Sequence, residues 1–327
     1  MGPEYIFSLQ DKRLFELVQK DFPLTERPFY ELGQRVGLSE EEVIARLIYW
    51  REKGILRQIS AIFEPNFFGH HSALFAMKVP PQHLEKAAEI INAHPGVSHN
   101  YLRNSEYQLW FILVVPPEKE LLKEANSLAR ASDAKDMLYL PVIKTFKIST
   151  IFGITSSDQE ENEKEENFTE HTYSLEDVSI VKALQEPLEL SPRPFSFIAQ
   201  QLNLTEEQIF SWIRTKKQIG ALRRFGALMK SNKLGLKTNF MVAWEVTDPF
   251  QKEEFGNFLA RQKFVSHCYE RKCYPHWPFN VYSMCHFSNR EEAKVIHKIA
   301  EKFSVKNYRV LETLKELKKV RLKLFYD

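Results

Sequence analysis

The chain has 327 residues, 43% of them hydrophobic and 27% charged, and a formal net charge of only +2. This composition is typical of a soluble globular protein large enough for two or more cores, and the near-neutral charge favours neither a nucleic-acid nor a membrane partner. No apolar run is long enough to cross a bilayer, and the first residues do not resemble a signal peptide. We therefore expect a cytoplasmic protein.

The first part of the chain has the pattern of a winged helix-turn-helix. Two short apolar periodicities before Gly37 predict two helices, and Ser39-Glu40-Glu41-Glu42 has the capping-box spacing that begins a third helix. Gly54 suits the end of this third helix, and residues 55–63 have the composition of a strand. Three short helices and a strand predict a winged helix-turn-helix over residues 8–63.

Residues 64–155 follow with the element order β-α-β-β-α-β, which predicts a ferredoxin-like domain with its helices on one face of an antiparallel sheet. The second predicted strand contains Val97-Ser98-His99-Asn100-Tyr101-Leu102-Arg103. Side chains alternate between the two faces of a strand, so His99, Tyr101 and Arg103 are expected to project from the same face.

The second half of the chain repeats the first. Gly220-Ala221-Leu222-Arg223 corresponds to Gly54-Ile55-Leu56-Arg57, and Val265-Ser266-His267-Cys268-Tyr269-Glu270-Arg271 corresponds to the heptad that begins at Val97. The fold class is therefore α+β, a tandem duplication of a winged helix-turn-helix and a ferredoxin-like domain. The predicted boundaries are 177–229 for the second helix-turn-helix, 230–327 for the second ferredoxin-like domain, and 156–176 for an acidic linker.

The three cysteines, Cys268, Cys273 and Cys285, all lie in the second half. Together with His276 they would supply four ligands of the kinds that bind zinc. Their spacing matches no standard zinc pattern, however, and the first half has no counterparts, so we predict buried thiols and no metal site.

A helix-turn-helix followed by a ferredoxin-like domain resembles the Lrp/AsnC family of transcriptional regulators, and this resemblance implies DNA binding with effector sensing. The charges oppose DNA binding, because residues 39–53 carry four acids against three bases and residues 205–219 begin with two acids. Acids at the start of a recognition helix repel phosphates. We interpret them as stabilising the helix dipole within a packing module, with a DNA-binding regulator kept as the alternative function.

The heptads and the residues after them resemble another family more specifically. The segment from His94 to Arg103, followed by Tyr107-Gln108-Leu109-Trp110-Phe111, is similar to one subunit type of siroheme decarboxylase. The segment from Ser266 to Arg271, followed by Tyr274-Pro275-His276-Trp277, is similar to the other. These enzymes have an Lrp/AsnC-like fold. The resemblance implies that one chain holds both subunit types and removes carbon dioxide from two acetate side chains of siroheme, giving didecarboxysiroheme.

Siroheme is a flat iron macrocycle with several carboxylates, so its site needs aromatic walls and fixed cations. The candidate walls are the aromatic residues Tyr101, Trp110, Phe111, Tyr269 and Trp277. The candidate cations are arginines, whose planar fork pairs with both carboxylate oxygens: Arg57, Arg103, Arg223, Arg224 and Arg271. Ordinary core packing is the alternative for Trp110, Phe111 and Trp277, and pairing with surface acids is the alternative for Arg57, Arg223 and Arg224.

His99 and His267 are the candidate proton donors, because loss of carbon dioxide leaves a carbanion-like centre and histidine titrates near neutral pH. Axial ligation of the iron by an imidazole is an alternative role. The macrocycle itself takes up the electron pair, so no organic cofactor is expected, and the iron belongs to the substrate.

The expected partner is siroheme, without a nucleic acid or a membrane, and self-association of the chain stays open. A haem or siroheme sensor is a third candidate function. The two halves also differ, because Cys268 replaces Asn100 and the second half has a short insertion after its heptad. The sequence therefore predicts two related but unequal half-sites.

Overall fold

The computed structural model describes residues 7–148, 173–229, 238–287, 289 and 291–326. The described residues form two compact units. The helix-turn-helix unit contains residues 7–68 and 173–229, and the sheet unit contains the remainder. Most of the predicted acidic linker, residues 156–172, lies outside the described residues. None of the helices in the described part of the chain has the length and apolar character needed to cross a membrane.

The first half has the predicted order of elements. Its helices are α1 (Leu9–Lys20), α2 (Pro28–Val36), α3 (Glu40–Glu52), α4 (Leu84–Ala93) and α5 (Leu121–Ala131). Its strands are β1 (Leu56–Phe63), β2 (His71–Lys78), β3 (Val97–Arg103), β4 (Leu109–Val115), β5 (Asp136–Leu140) and β6 (Val142–Ile148).

The second half repeats this order. Its helices are α6 (Leu175–Leu184), α7 (Pro194–Leu202), α8 (Glu206–Gln218), α9 (Pro249–Ala260) and α10 (Val295–Lys302). Its strands are β7 (Leu222–Met229), β8 (Thr238–Trp244), β9 (Val265–Arg271), β10 (Val281–Phe287) and β11 (Tyr308–Lys319). The duplicated fold predicted from the sequence is therefore confirmed, and the long strand β11 takes the place that β5 and β6 occupy in the first half.

Local signals in the sequence set the ends of the third helix in each helix-turn-helix. Ser39 and Thr205 each form a complete capping box at the first turn of α3 and α8. Gly54 and Gly220 follow these helices with positive φ angles of 68° and 77°, a conformation that glycine adopts without a steric penalty. The strands that come next, β1 and β7, pair antiparallel in a two-stranded sheet within the helix-turn-helix unit.

The sheet unit contains one nine-stranded sheet in the order β5-β2-β4-β3-β11-β8-β10-β9-β6. Residues 308–312 of β11 pair with β8 of the same half, whereas residues 313–319 pair with β3 of the first half. In return, β6 of the first half pairs with β9 of the second half. Each heptad strand is therefore completed by the last strand of the other half.

The two ends of this sheet meet, because β5 at one end passes into β6 at the other through Pro141 alone. Two side chains from the second half reinforce this junction. Arg271 Nη1 donates to the carbonyl of Leu140 at 2.6 Å, and the Tyr274 hydroxyl donates to the carbonyl of Tyr139 at 2.7 Å. The sheet closes on itself and leaves an inner face, which we define as the face opposite the helices.

Each pair of helices covers the outer face of its own half. Ala88 and Ile91 of α4 pack with Phe111 and Leu113 of β4, and Phe255 of α9 packs with Trp244 of β8. A separate apolar cluster on the inner face joins the two halves, and it includes Trp110, Leu140, Met241, Trp277 and Tyr282. The inner face therefore receives side chains from both halves.

Candidate active site on the inner face of the sheet

The heptad side chains lie on the inner face. On β3, Tyr101 is opposite Trp110 and His99 is opposite Ile112 of β4. On the other face, the intervening Asn100 donates through Nδ2 to Asn92 of α4 at 3.0 Å. The alternation expected from the sequence is therefore present in the first half.

The second heptad has the same arrangement on β9. Tyr269 is opposite Tyr282 and His267 is opposite Met284 of β10. Cys268, which corresponds to Asn100, packs into the core beneath α9 and α10. Both histidines and both tyrosines therefore face the interior of the same closed sheet.

A serine precedes each histidine and contacts its ring. Ser98 Oγ lies 2.9 Å from His99 Nδ1, and Ser266 Oγ lies 2.8 Å from His267 Nδ1. The histidine ring is followed by the tyrosine ring, at 6.2 Å between the centroids of His99 and Tyr101 and at 6.1 Å in the second half. The serine contact is at Nδ1, so proton transfer or iron ligation by either histidine would use Nε2.

Arg103 is a buried cation on the inner face, with 3% of its surface exposed. Its Nη1 donates to the carbonyl of Leu311 at 2.8 Å and to Thr313 Oγ1 at 3.1 Å, and the guanidinium lies over the Tyr101 ring. Burial lowers the pKa of Arg103 to about 10. Among the described residues no carboxylate pairs with Arg103, and its Nε has no hydrogen-bond partner. A buried cation without an anion is costly, so this position favours an anionic ligand.

Arg271 occupies the equivalent position in the second half. It is also buried, its guanidinium lies 4.8 Å from the centre of the Tyr269 ring, and its Nη1 bonds the carbonyl of Leu140. Arg103 thus bonds to β11 of the second half, and Arg271 bonds to β5 of the first half. Both arginines lie where the sequence placed them, and part of each guanidinium is used to join the halves.

The two candidate tryptophans also lie on the inner face. Trp110 and Trp277 are buried, with their ring centroids 5.8 Å apart. The indole of Trp110 donates to the carbonyl of Tyr107, and that of Trp277 donates to the hydroxyl of Tyr282. Their role as substrate walls stays a prediction. The prediction for Phe111 is wrong, because this residue follows Trp110 on β4 and packs against the helices on the outer face.

The remaining candidate arginines, Arg57, Arg223 and Arg224, belong to the helix-turn-helix unit, whereas the heptads belong to the sheet unit. Arg223 Nε donates to Glu64 Oε2 at 2.7 Å, and Arg224 Nη1 donates to the carbonyl of Gln19 at 2.8 Å. Arg57 is half-buried on β1. Carboxylate binding by these three arginines stays a prediction.

His286 lies on β10 beside the second heptad and has no histidine counterpart in the first half. Its Nε2 is 2.7 Å from Ser266 Oγ, the same oxygen that contacts His267. Burial, and then the positive charge of Lys319, lowers the pKa of His286 to about 4. The counterpart of His286 on β4 is Val114. An alignment of β10 with β4, residue by residue, is the sequence signal that reveals this difference between the halves.

The leading acids of α3 and α8 take part in local ion pairs. Glu40 is buried and pairs with Arg27, while Glu206 pairs with Arg193 at 2.6 Å in the second half. Glu42 accepts from the backbone N–H of Ser39 in the capping box. These contacts support the interpretation of the helix-turn-helix as a packing module.

The cysteines do not form a cluster with His276. The prediction of buried thiols is confirmed for Cys268 and Cys285 and is wrong for Cys273, which is exposed. Throughout the described ranges, no group of three or more His, Cys, Asp and Glu side chains is placed to hold a metal ion. His276 instead lies 3.8 Å from Asp136 Oδ2.

Comparison with known proteins supports the interpretation of the heptads. Residues 68–147 and 233–318 match the AsnC-like ligand binding domain, and residues 11–57 and 177–223 match the siroheme decarboxylase NirDL-like helix-turn-helix domain. A siroheme decarboxylase from Hydrogenobacter thermophilus is 36% identical over 317 residues, covering 96% of this chain and 95% of the relative. The chain belongs to the siroheme decarboxylase family. It is therefore placed among the carboxy-lyases.

A solved structure and two shorter relatives extend this result. The crystal structure of the siroheme decarboxylase NirDL in co-complex with an iron-uroporphyrin III analogue has a TM-score of 0.78, 33% identity, and coverage of 97% of this chain and 95% of that one. In Desulfovibrio desulfuricans, an alpha subunit is 39% identical over 43% of this chain and 82% of its own length. The beta subunit from the same organism is 36% identical over 47% of this chain and 98% of its own length. The chain is thus a fusion of both subunit types.

Burial of two of the three thiols generates a prediction about their reactivity. Burial raises the pKa of Cys285 to about 12 and that of Cys268 still further, whereas Cys273 is exposed. Because the thiolate is the reactive form, Cys273 should react with an aromatic disulfide reagent well before the other two. The thiols released per chain should rise from one to three when denaturant is added. Rapid reaction of all three in the native protein would contradict the described packing.

Proposed function

We propose that this chain removes carbon dioxide from two acetate side chains of siroheme and releases didecarboxysiroheme. Relatives that cover most of the chain are named siroheme decarboxylases, and a solved relative holds an iron-uroporphyrin III analogue. The observation that carries the proposal is the pair of His-Tyr-Arg sets on the inner face of one closed sheet. An imidazole, an aromatic ring and a buried cation are the groups that a polycarboxylate macrocycle requires.

In this proposal the arginines bind the carboxylates of siroheme that do not react. Arg103 is suited to this role because it is buried, has no carboxylate partner among the described residues, and retains an unpaired Nε. A carboxylate of the substrate would neutralise the buried charge and accept charge-assisted hydrogen bonds. Tyr101 lies under the guanidinium and Tyr269 lies under that of Arg271, so each arginine is held in a fixed orientation.

The histidines supply the proton in the proposed reaction. The bond between the acetate methylene and its carboxylate carbon breaks, carbon dioxide leaves, and the electron pair remains on the methylene carbon in conjugation with the macrocycle. A protonated imidazole of His99 or His267 then gives its Nε2 proton to that carbon, which forms the methyl group and leaves a neutral imidazole. Solvent returns the proton before the next turnover.

No organic cofactor is needed in this scheme, because the conjugated macrocycle delocalises the electron pair, and the iron enters as part of the substrate. The alternative role of the histidines, axial ligation of the siroheme iron through Nε2, uses the same nitrogen. The two roles differ in outcome: a proton donor affects the rate of the reaction, whereas an iron ligand affects the spectrum of the bound substrate.

Anaerobic incubation of the purified chain with siroheme tests the proposed activity. Mass analysis should show the substrate, a species that has lost one carbon dioxide, and a final species that has lost two. Tight spectral binding without a change in mass would favour a siroheme sensor. No change in mass together with salt-sensitive binding to a specific DNA duplex would favour a regulator of the Lrp/AsnC type.

Replacement of each heptad histidine tests the assignment of the proton donors. His99→Ala and His267→Ala, made separately, should each slow one of the two decarboxylations by about 10²–10⁴-fold, the usual contribution of general acid catalysis. Rapid-quench mass analysis measures both steps, and the absorption spectrum of bound siroheme reports iron ligation. If neither variant slows either step, the proton-donor assignment is wrong.

Replacement of Arg103 tests carboxylate binding. Arg103→Met keeps most of the buried volume but removes the charge, and it should weaken the binding of siroheme by roughly tenfold or more, since a charge-assisted hydrogen bond contributes about 1.5–3 kcal/mol. A spectral titration measures the affinity. Thr313→Val is the matched control, because it removes a neighbour of Arg103 on β11 without removing the cation. Equal affinities for the wild type and the Arg103→Met variant would contradict the proposed role.

A further inference from the structure

The two half-sites differ at one position that the proposed reaction has not yet used. In the aligned registers of β4 and β10, Ile112 opposite His99 corresponds to Met284 opposite His267. Two residues further along, the first half has Val114 and the second half has His286. The backbone is the same at both positions, since Val114 N–H donates to the carbonyl of Gly96 and His286 N–H donates to that of Phe264. Only the side chain distinguishes them.

In the second half, His286 adds a third group to the contact between Ser266 and His267. Ser266 Oγ lies 2.8 Å from His267 Nδ1 and 2.7 Å from His286 Nε2. The carbonyl of Met284 is a poorer acceptor for the same hydroxyl, at 3.5 Å. In the first half, Ser98 Oγ contacts His99 Nδ1 at 2.9 Å, and the aliphatic side chain of Val114 has no atom that can accept a hydrogen bond.

The number of protons on Ser266, His267 and His286 limits the directions of the hydrogen bonds between them. A serine hydroxyl carries one proton, so it donates to one imidazole nitrogen and accepts from the other. When His267 is protonated, its Nδ1 carries a hydrogen and must donate to Ser266 Oγ. The Ser266 proton is then available to His286 Nε2, which accepts it only while His286 is neutral. Burial and the nearby ammonium of Lys319 both favour the neutral form of His286.

We propose that His286 is a positioning residue for His267, and that it acts through the hydroxyl of Ser266. His286 accepts from Ser266, Ser266 accepts from Nδ1–H of His267, and His267 transfers its Nε2 proton to the substrate. The inference rests on the proposed decarboxylation. The first half has Val114 in place of His286. The two methylene carbons are therefore protonated at different rates, and His267 transfers its proton faster than His99.

This arrangement also explains how His267 returns to its starting state. After Nε2 gives up its proton, His267 is neutral with its hydrogen already on Nδ1, so neither Ser266 nor His286 has to reorient. Protonation of Nε2 by solvent restores the donor. In the first half no histidine occupies the position of His286, so no imidazole there fixes the Ser98 hydroxyl as an acceptor.

Two measurements on the full-length protein test the proposal, and the first needs no substrate. Long-range nitrogen-15 NMR of the histidine rings reports which nitrogen carries the hydrogen, and His267→Gln identifies the His267 signals. At neutral pH, Nδ1 of His267 should be protonated in the wild type. It should lose this preference in His286→Val, which copies the Val114 side chain of the first half. His286→Gln keeps an acceptor for Ser266 and should retain the wild-type pattern.

The second measurement is single-turnover decarboxylation of siroheme under anaerobic conditions. His286→Val should slow one of the two losses of carbon dioxide by about tenfold, without changing the affinity for siroheme, and His286→Gln should restore much of the rate. Ser266→Ala should slow the reaction more than Ser98→Ala, its counterpart in the first half. If His286→Val were to misfold, His286→Gln and Ser266→Ala would still test the chain of contacts.

The proposal is overturned if His286→Val leaves both the His267 ring signals and the two rates unchanged. It is also overturned if His286→Val and His286→Gln are slowed equally, because His286 would then act only as a packed side chain. A wild-type protein that shows the expected Nδ1 signal but releases no carbon dioxide would leave the contact network in place and contradict the proposed function instead.

Discussion

The candidate site depends on the exchange of strands between the two halves. Strands β3 and β9 carry the heptads, and each would be an unpaired edge of its own four-stranded sheet. An exposed edge leaves backbone donors and acceptors without partners and invites aggregation. The last strand of the opposite half covers each edge, β11 on β3 and β6 on β9. Arg103 also bonds the carbonyl of Leu311 on β11, and Arg271 bonds that of Leu140 on β5, next to the start of β6. One half alone therefore lacks the strand that holds its own arginine in place.

Duplication followed by divergence has produced two unequal half-sites within this symmetric frame. The Ser-His-Tyr-Arg geometry is nearly the same on β3 and β9, whereas the residues around it differ. Asn100 bonds Asn92 on the outer face, and its counterpart Cys268 is part of an apolar core. The connection after the second heptad places Trp277 against Trp110 on the inner face. One chain thus has two related environments for the two acetate side chains that lose carbon dioxide in the proposed reaction.

The sequence predicts the features that depend on neighbouring residues. Capping boxes at Ser39 and Thr205, glycines after the third helices, and the alternation of each heptad are local signals, and the structure confirms them. The strand exchange could not be predicted, because antiparallel pairing between β11 and β3 joins residues far apart in the chain and no local pattern specifies the partner. For the same reason, the sequence did not indicate that Arg223 pairs with Glu64 or that His286 contacts Ser266. Phe111 was predicted to be a wall of the site although it lies on the outer face, because an almost fully buried strand such as β4 is apolar on both faces and its sequence does not distinguish them.

In the proposed function, both halves together form the catalytic unit. Expression of residues 1–150 and 173–327 as separate polypeptides, alone and together, tests it most directly through anaerobic loss of carbon dioxide from siroheme. The alpha and beta subunits of relatives show that the two parts of this family exist as separate chains. The account predicts that neither half decarboxylates siroheme alone and that the co-expressed halves assemble and regain activity. Turnover of siroheme by either half in isolation would contradict it.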